Sequence, residues 1–486
     1  NVSKVYGIVD GLRESGQVIL DEELIKIYQD WEETHPFNEG EGWGNEPWCQ
    51  EEMELTDEVV EAAGKRSETA IVIIGRTAGE DKDASDTKGS YQLTDVEEDL
   101  LTKVRKNFDK MIVLLNVGGL LDMSFTDRYQ PEAVMYVWQG GMVGGLGTAD
   151  VLTGAVSPSG HLTDTIAYKV ADYPSTPYFG DPDKNYYSED IYVGYRYFET
   201  FAKDSVRYPF GYGLSYTSFA YDEMTVEDKP DEIQVKLSVT NTGHCEGDEV
   251  IQLYVHKMDS RVVRPIRTLK DFVRIKNVRP GETRKVTLCA KKQELRYYDV
   301  ISGQMLLEDG GYLFEAGASS VDIRQMNKLI LDGQKAGVRD PFVLTEAIRY
   351  DDYTNCFIHK GTSGHAEHGE TCLIPGRPGE APDEIQKLPD GKVRGKLVYR
   401  DFFFEKQASK FKFTAWVLEE ARIRVLSEDE NHKTILVDRV LPLPEKKGFC
   451  SYEAALEEKI PELSTVKTII IQLEGKVKLK EFQFIK

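Results

Sequence analysis

Continuous apolar runs alternate with amphipathic segments through residues 1–204 of this chain. The runs predict strands at Thr69–Gly75, 110–117 and 133–138, and helical spacing predicts a helix at 96–106. Thr94, followed three residues later by Glu97, has the capping-box pattern that begins a helix. Strands without a polar face that alternate with helices are typical of a parallel sheet buried on both faces. We therefore predict an α/β domain over 1–204.

The pattern changes to short alternating strands after this region. In residues 205–330 turn sequences such as Asn241-Thr242-Gly243 separate the strands, which is typical of a small immunoglobulin- or fibronectin-III-like β-sandwich. Residues 338–486 are again rich in predicted strands and indicate a C-terminal, jelly-roll-like β domain. The chain is thus predicted to be a multidomain protein in which two β domains follow an α/β domain with a mostly parallel sheet.

An acidic residue, Glu80, lies in the polar loop after the first predicted strand. Side chains that follow parallel strands gather at one edge of the sheet, where α/β proteins bind ligands, and Asn116 and Trp138 follow the next two strands. The other charged residues of the loop are Arg76, Asp81, Lys82, Asp83, Asp86 and Lys88. Crowding among carboxylates raises their pKa, as a general acid requires. From the residues alone, a solvated acidic loop explains the same pattern.

Charge and cysteine content exclude several classes of function. The 83 acidic residues outnumber the 60 basic ones and give a formal net charge of -23, so we expect no nucleic-acid or membrane partner. The six cysteines are scattered without CxxC spacing, which argues against a zinc cluster or a disulfide framework and favours a reducing, cytoplasmic location. We expect no membrane span, no leader, no cofactor and no resident metal.

Ordered sequence blocks run through residues 1–330. They are Gly79-Glu80 with Asp83, Trp138-Gln139-Gly140-Gly141, Ala149-Asp150-Val151-Leu152, Pro158-Ser159-Gly160, 189–197 and 208–216. In this order they resemble glycoside hydrolase family 3, the β-glucosidase and β-xylosidase family. The resemblance implies an α/β sandwich domain followed by a fibronectin-type-III-like domain.

The resemblance also implies a reaction and a role for Glu80. In this family the α/β domain supplies the general acid/base glutamate from a loop often written Glu-Gly-x-Asp-Arg, which maps onto Glu80 with Asp81 in place of glycine and Ala84 in place of arginine. The implied reaction is retaining hydrolysis of terminal β-D-glucosyl residues, in which two carboxyl groups about 5–5.5 Å apart act as nucleophile and acid/base. The implied substrates are β-linked gluco-oligosaccharides, with β-xylosides as the alternative.

The nucleophile that the family requires is missing from this sequence. It is an aspartate in a Ser-Asp-Trp block on a separate (β/α)8 barrel, and the chain contains no such block. The resemblance therefore implies a barrel on the same or another chain, before this segment or, as in a rearranged subset of the family, after it. We expect a fragment or one piece of a split enzyme, inactive alone, with a homodimer as a possible assembly. A non-catalytic carbohydrate-binding or scaffold module is the alternative.

Two tryptophans and a glycine-rich run are further candidates. Trp43 and Trp48 lie in an acidic loop, and aromatic faces bind sugar rings, so we predict that they line an aglycone subsite. Packing against the domain's own surface is the alternative, which the high average burial of tryptophan favours. Gly145 lies in a run that lacks a phosphate-loop arrangement, which predicts close backbone packing instead.

The last domain carries two weaker signals. His359, His365 and His368 form a metal-like cluster whose spacing matches no metal motif, so a surface loop is predicted. The domain resembles a jelly-roll carbohydrate-binding module, and a structural spacer is an equally good interpretation.

Overall fold

The computed structural model describes residues 4–42, 44–77, 83–180, 189–359, 372–375, 394–428, 432–445, 447–461 and 466–486. The helices among them are α1 (Ile8–Ser15), α2 (Glu22–Glu32), α3 (Asp57–Arg66), α4 (Asp95–Asn107), α5 (Phe125–Tyr129), α6 (Gly144–Leu152) and α7 (Tyr195–Phe201). Within these ranges, no helix has both the length and the apolar character that a membrane crossing needs. These seven α-helices precede the two β domains.

A parallel sheet organises the first domain, as predicted. Its strands β1 (Thr69–Gly75), β2 (Lys110–Asn116) and β3 (Ala133–Tyr136) lie in the order β1-β2-β3. The last residues of β1 and β2, Gly75 and Asn116, are in register, so both strands end at the same edge. The predicted capping box is present: the Thr94 hydroxyl accepts from the Glu97 N–H, and the Glu97 carboxylate accepts from the Thr94 N–H.

The two faces of the sheet are covered unequally. Val72 of β1 is buried in the core shared with the helices, whereas Ile71 and Ile73 on the opposite face are each 36% exposed. In β2, by contrast, Val113 and Leu114 point to opposite faces and are both fully buried. The predicted burial on both faces is therefore correct for β2 and wrong for β1, where only the face that carries Val72 packs into the core.

Helices α1 and α6 pack backbone against backbone through glycines. A Cβ atom added to Gly145 would lie 2.0 Å from the carbonyl oxygen of Gly7, and one added to Gly11 would lie 2.1 Å from that of Gly145. The Gly145 N–H donates to the Tyr6 carbonyl at 3.2 Å. The close packing predicted for this run is confirmed.

An antiparallel β-sandwich follows the first domain. A small pair, β4 (Ile166–Ala167) and β5 (Val206–Tyr208), precedes it. The sandwich strands are β6 (Phe219–Asp228), β7 (Glu232–Asn241), β8 (Gly247–Lys257), β9 (Thr268–Val278), β10 (Thr283–Lys291), β11 (Tyr297–Asp299), β12 (Gln304–Leu306), β13 (Gly310–Gly317) and β14 (Ile323–Leu331). The sheets β10-β7-β6 and β14-β13-β8-β9 enclose one apolar core. The predicted fibronectin-III-like fold is confirmed.

A second, larger β-sandwich forms the last domain. Its strands are β15 (Thr345–Glu346), β16 (Asp352–Thr354), β17 (Cys356–His359), β18 (Cys372–Pro375), β19 (Arg394–Phe402), β20 (Ala408–Val417), β21 (Ala421–Glu428), β22 (Lys433–Leu441), β23 (Cys450–Ile460), β24 (Lys467–Glu474) and β25 (Val477–Ile485). They form a six-stranded sheet, β17-β18-β25-β20-β23 with β15 beside β25, and a five-stranded sheet, β16-β19-β24-β21-β22. Fully buried aromatic rings fill the space between them, among them Phe402, Phe411 and Phe482. The β-rich C-terminal region is confirmed.

Buried ion pairs join the three domains. Arg267, next to β9, pairs with Glu315 of β13 at 3.0 Å and with Glu199 of α7 at 3.6 Å, which connects the first two domains. Arg261, in the fibronectin-III-like domain, pairs with Asp351 of the last domain at 2.8 Å. The Asp351 carboxylate is inaccessible to solvent, so the second and third domains share a desolvated contact.

Candidate active site

The predicted acid loop begins at a firmly held point on the sheet edge. Glu80 lies outside the described residues, which resume at Asp83. Before it, the Arg76 N–H donates to the Asn116 carbonyl at 3.1 Å, so the chain continues beside β2 for one residue after β1 ends. The Thr77 N–H then donates to the Trp48 carbonyl at 2.8 Å. Residues 76 and 77, which lead to Glu80, therefore lie between the end of β2 and the backbone of Trp48.

Arg76 lies beneath the loop and not among its solvated charges. Its guanidinium donates to both carboxylate oxygens of Glu97 at 2.6 and 2.9 Å, and to the carbonyls of Ser90 and Gln92 at 3.0 and 3.1 Å. The side chains of Arg76 and Glu97 are only 4% and 5% exposed. The expectation that Arg76 competes with the loop carboxylates is wrong, because this buried partner already neutralises it.

The far end of the loop is also held by the body of the domain. The Ser85 N–H donates to the Ser90 hydroxyl at 3.0 Å, and the Asp122 N–H donates to the Tyr91 carbonyl at 2.9 Å. Lys88 forms an exposed ion pair with Asp95 of α4. Arg76 and Lys88 thus each pair with a carboxylate of α4, Glu97 and Asp95 respectively.

Trp48 lies at the base of the loop, and its companion Trp43 falls outside the described residues. The Gln50 side chain fixes the Trp48 segment: it accepts from the Asn38 N–H at 2.7 Å and donates to the Thr77 hydroxyl at 3.5 Å. Trp48 itself is half-buried. Backbone contact thus brings Trp48 next to the start of the acid loop, and its role in substrate binding stays a prediction.

The end of β3 supplies aromatic side chains to the same edge. Trp138 packs on Tyr136 with 4.8 Å between ring centroids, and its φ of 52° turns the chain sharply away from the strand. The Tyr136 hydroxyl accepts from the Leu121 N–H at 3.3 Å, and burial raises the pKa of this phenol. A Cβ atom on Gly118 would lie 3.3 Å from the Gln139 amide nitrogen, so the loops after β2 and β3 are in contact. The predicted meeting of Asn116 and Trp138 at one edge is confirmed.

A second carboxyl group near this edge was missed by the sequence reasoning. Glu52 follows Gln50 by two residues, and burial raises the pKa of its carboxyl group. Its Oε1 atom accepts from the Tyr28 hydroxyl at 3.3 Å. No motif marks Glu52, and only the fold reveals its burial. A mutational test of the general acid must therefore distinguish Glu52 from Glu80.

The histidine cluster predicted from the sequence falls largely outside the described residues. In the ranges that the structure describes, no three His, Cys, Asp or Glu side chains are grouped to hold a metal ion. His365 and His368 lie outside those ranges, and His359 ends β17.

The comparisons with known proteins agree with the domain order. Residues 1–216 match the glycosyl hydrolase family 3 C-terminal domain, and residues 249–320 match the fibronectin type III-like domain. A β-glucosidase from Ruminococcus albus is 48% identical over 342 residues, which are 69% of this chain and 36% of the relative. The chain spans less than half the length of this relative and of the two solved structures that follow.

Solved structures give the same result. A β-glucosidase from Paenibacillus barengoltzii is 41% identical with a TM-score of 0.66, covering 78% of this chain and 42% of its own. β-Glucosidase 3B from Thermotoga neapolitana, in complex with α-D-glucose, is 32% identical with a TM-score of 0.62, covering 68% of this chain and 47% of its own. The fold and these matches define a glycoside hydrolase component. In particular, the chain carries the C-terminal α/β domain and the fibronectin-type-III-like domain of glycoside hydrolase family 3.

Proposed function

We propose that this chain is the acid/base-bearing part of a retaining exo-β-glucosidase that is completed by a (β/α)8 barrel. One observation supports it above the others: the segment that carries Glu80 starts at the carboxyl edge of the parallel sheet, held between Asn116 and Trp48. This edge is where an α/β domain presents groups to a ligand. The names of the matching relatives favour a terminal β-D-glucosyl group as the glycone.

In the proposed mechanism Glu80 moves two protons. It first donates a proton to the glycosidic oxygen of the leaving group while an aspartate of the barrel attacks the anomeric carbon. It then removes a proton from the water that hydrolyses the glycosyl-enzyme. The buried pairing of Arg76 with Glu97 supports the first step, because it keeps that guanidinium from stabilising an ionised Glu80.

The barrel would need a surface on which to pack. Large apolar side chains are exposed between residues 143 and 214, among them Val143, Phe179 and Leu214 at 58%, 61% and 71% exposure. A contiguous patch of such side chains would be typical of a surface that binds another protein or domain.

Location and assembly are also proposed. The cysteines at 49, 245, 289, 356 and 450 are free thiols, which supports a reducing, cytoplasmic location. Sedimentation of the complete enzyme tests whether it is a homodimer.

The decisive test replaces Glu80 with glutamine in the complete enzyme. Turnover of aryl glucosides with poor leaving groups should fall about 10²- to 10⁴-fold, the usual contribution of a general acid, while good leaving groups lose less. Azide should restore turnover, since it needs no general base. Glu52→Gln and Asp83→Asn are the matched controls and should retain activity. Full activity in Glu80→Gln, or this same pattern in Glu52→Gln, would overturn the assignment.

The chain without a barrel offers an independent test. We expect it to hydrolyse no glucoside, because it supplies an acid without a nucleophile. Turnover by the purified chain that survives Glu80→Gln would contradict the proposed division of labour.

A further inference from the structure

The outer face of the five-stranded sheet in the last domain carries three adjacent rows of side chains that run across the strands. In each row, successive residues are directly paired between neighbouring strands. The apolar row is Val398, Ile470 and Leu426, the polar row is Thr354, Lys396, Gln472, Arg424 and Asp438, and the charged row is Arg394, Glu474 and Arg422. The apolar row is a buried cluster separate from the domain core.

A groove of about 460 Å³ lies over the polar and charged rows. Its volume is in the range of small-ligand sites. The polar row crosses five strands, which at the usual strand spacing corresponds to about 19 Å. An extended chain molecule fits such a row better than a single compact ring does.

The groove is basic in a strongly acidic protein. Its two rows hold four cations and two carboxylates, whereas the whole chain has a formal charge of -23. Two of the cations are held in place: Arg422 donates to both Asp438 oxygens at 2.5 and 2.8 Å, and Arg424 donates to Asp438 at 3.0 and 3.1 Å. One carboxylate shared by two guanidiniums leaves positive charge facing the groove.

Two polar side chains, Lys396 and Gln472, occupy the middle of the polar row. Among the described residues, Lys396 and Gln472 make no side-chain hydrogen bond or ion pair, although both are half-buried. A lysine and an amide in these positions can hold a carboxylate and a hydroxyl group. None of the described residues that line the groove is aromatic, so this lining offers no platform on which neutral sugar rings stack.

We propose that this groove binds an anionic oligosaccharide, with a uronate carboxylate held by Lys396 and neighbouring hydroxyl groups held by Gln472 and Thr354. The choice of a saccharide over other anions rests on the proposed function. The positive charge, the row of hydrogen-bonding groups and the missing aromatic platform select an acidic glycan over a neutral one. The last domain would then bring acidic-branched glycans to a glucosidase.

Calorimetric titration of the 486-residue chain tests the proposal without any turnover. The probes are a β-linked gluco-oligosaccharide with a glucuronate branch, the same oligosaccharide without it, free glucuronate, sodium sulfate and a polyglutamate peptide, all at one ionic strength. We expect the branched oligosaccharide to bind most tightly. Lys396→Met should weaken it about tenfold or more, since it removes a charge-assisted hydrogen bond, and Lys396→Arg should retain most of the affinity.

Control variants separate the groove from general charge. Lys412→Met removes an exposed lysine from the other sheet of the same domain and should leave affinity unchanged. Gln472→Ala should lower the affinity for the branched oligosaccharide and leave the affinity for free glucuronate unchanged. Equal binding of the neutral oligosaccharide, equal binding of sulfate or polyglutamate, no binding at all, or indifference to Lys396→Met would each overturn the proposal. None of these outcomes bears on Glu80, whose test is turnover by the complete enzyme.

Discussion

Arg76 and Glu97 form a two-pronged ion pair that is almost fully buried beneath the predicted acid loop. Glu97 also receives the Thr94 N–H at the start of α4, so one carboxylate connects the end of β1 to the helix that follows the loop. Both ends of the loop thus converge on one buried charge pair. The pair is expected to fix the loop's origin and to stabilise the domain.

Glu97→Ala should therefore destabilise the α/β domain by about 3 kcal/mol or more, because it leaves the Arg76 guanidinium buried without a counter-ion. Urea unfolding followed by hydrogen exchange in β1 and α4 measures this loss. Asp95 lies on the same helix as Glu97 and forms an exposed pair with Lys88. Asp95→Ala should therefore lower the free energy of unfolding by less than about 1 kcal/mol. Similar losses in the two variants would show that the buried pair has no special importance.

The glycines of α6 provide a pair of substitutions with opposite expected signs. Gly145→Ala should separate α1 from α6, because its Cβ would lie 2.0 Å from a backbone oxygen. Gly147 lies on the same helix, and a Cβ atom added there would contact no neighbouring element within 4 Å. Gly147→Ala should therefore stabilise the helix by about 0.5–1 kcal/mol. Thermal unfolding of the two variants measures the contrast. A neutral Gly145→Ala would contradict the close packing of the two helices.

The Arg267 cluster predicts a pH dependence at the junction of the first two domains. Burial raises the pKa of the Glu199 and Glu315 carboxyl groups above the ordinary 4.5, despite the nearby Arg267. A raised carboxyl pKa contributes stability that is complete below the unfolded value and is lost as pH rises through the folded value. Glu199→Gln should therefore match the native protein in melting temperature at pH 4 and exceed it at pH 8.

A matched control for this experiment is Glu453, an exposed residue whose pKa is lowered by its pairing with Lys410. Glu453→Gln should show no gain at pH 8, because its charged form is the one that folding favours. A Glu199→Gln protein that loses stability equally at both pH values would point to the lost Ser320 hydrogen bond as the dominant effect.

Arg261 should control the docking of the last domain. Arg261→Met leaves the Asp299 and Asp351 carboxylates, both inaccessible to solvent, with less positive charge, although Arg339 still pairs with Asp351 at 3.0 Å. We expect a loss of about 3 kcal/mol in the docking of the domain. Limited proteolysis between residues 332 and 344, together with small-angle scattering, measures the undocking of the last domain. Arg349→Met removes an exposed pair and should leave both readouts unchanged.

Local patterns predicted the elements whose signals lie close together in the chain. Strand β1 has the predicted bounds, and α4 starts at the predicted capping box. Strand β23 forms although its Ala454-Ala455-Leu456-Glu457-Glu458 sequence favours a helix. Pairing with β20 and burial of Ala454 and Leu456 override that preference.

Contacts between distant residues could not be predicted in the same way. Arg76 looks like one more charge in a polar loop, and only the fold reveals that Glu97 lies beneath it. The rows on the last domain depend on the register of five strands, which sequence periodicity does not fix. The sequence also places Glu80 at a strand end without describing the loop that carries it.

The Arg261 contact changes what the last domain can do for a polymeric substrate. A module on a flexible linker raises local substrate concentration over a broad range of lengths. A module fixed by a desolvated ion pair instead selects substrates by length, because its groove stays at a constant distance from the sheet edge that leads to Glu80. On the proposed function and the proposed glycan site, glycans whose acidic branch and non-reducing end match that separation should be processed first, so that the length of the substrate becomes a selection criterion.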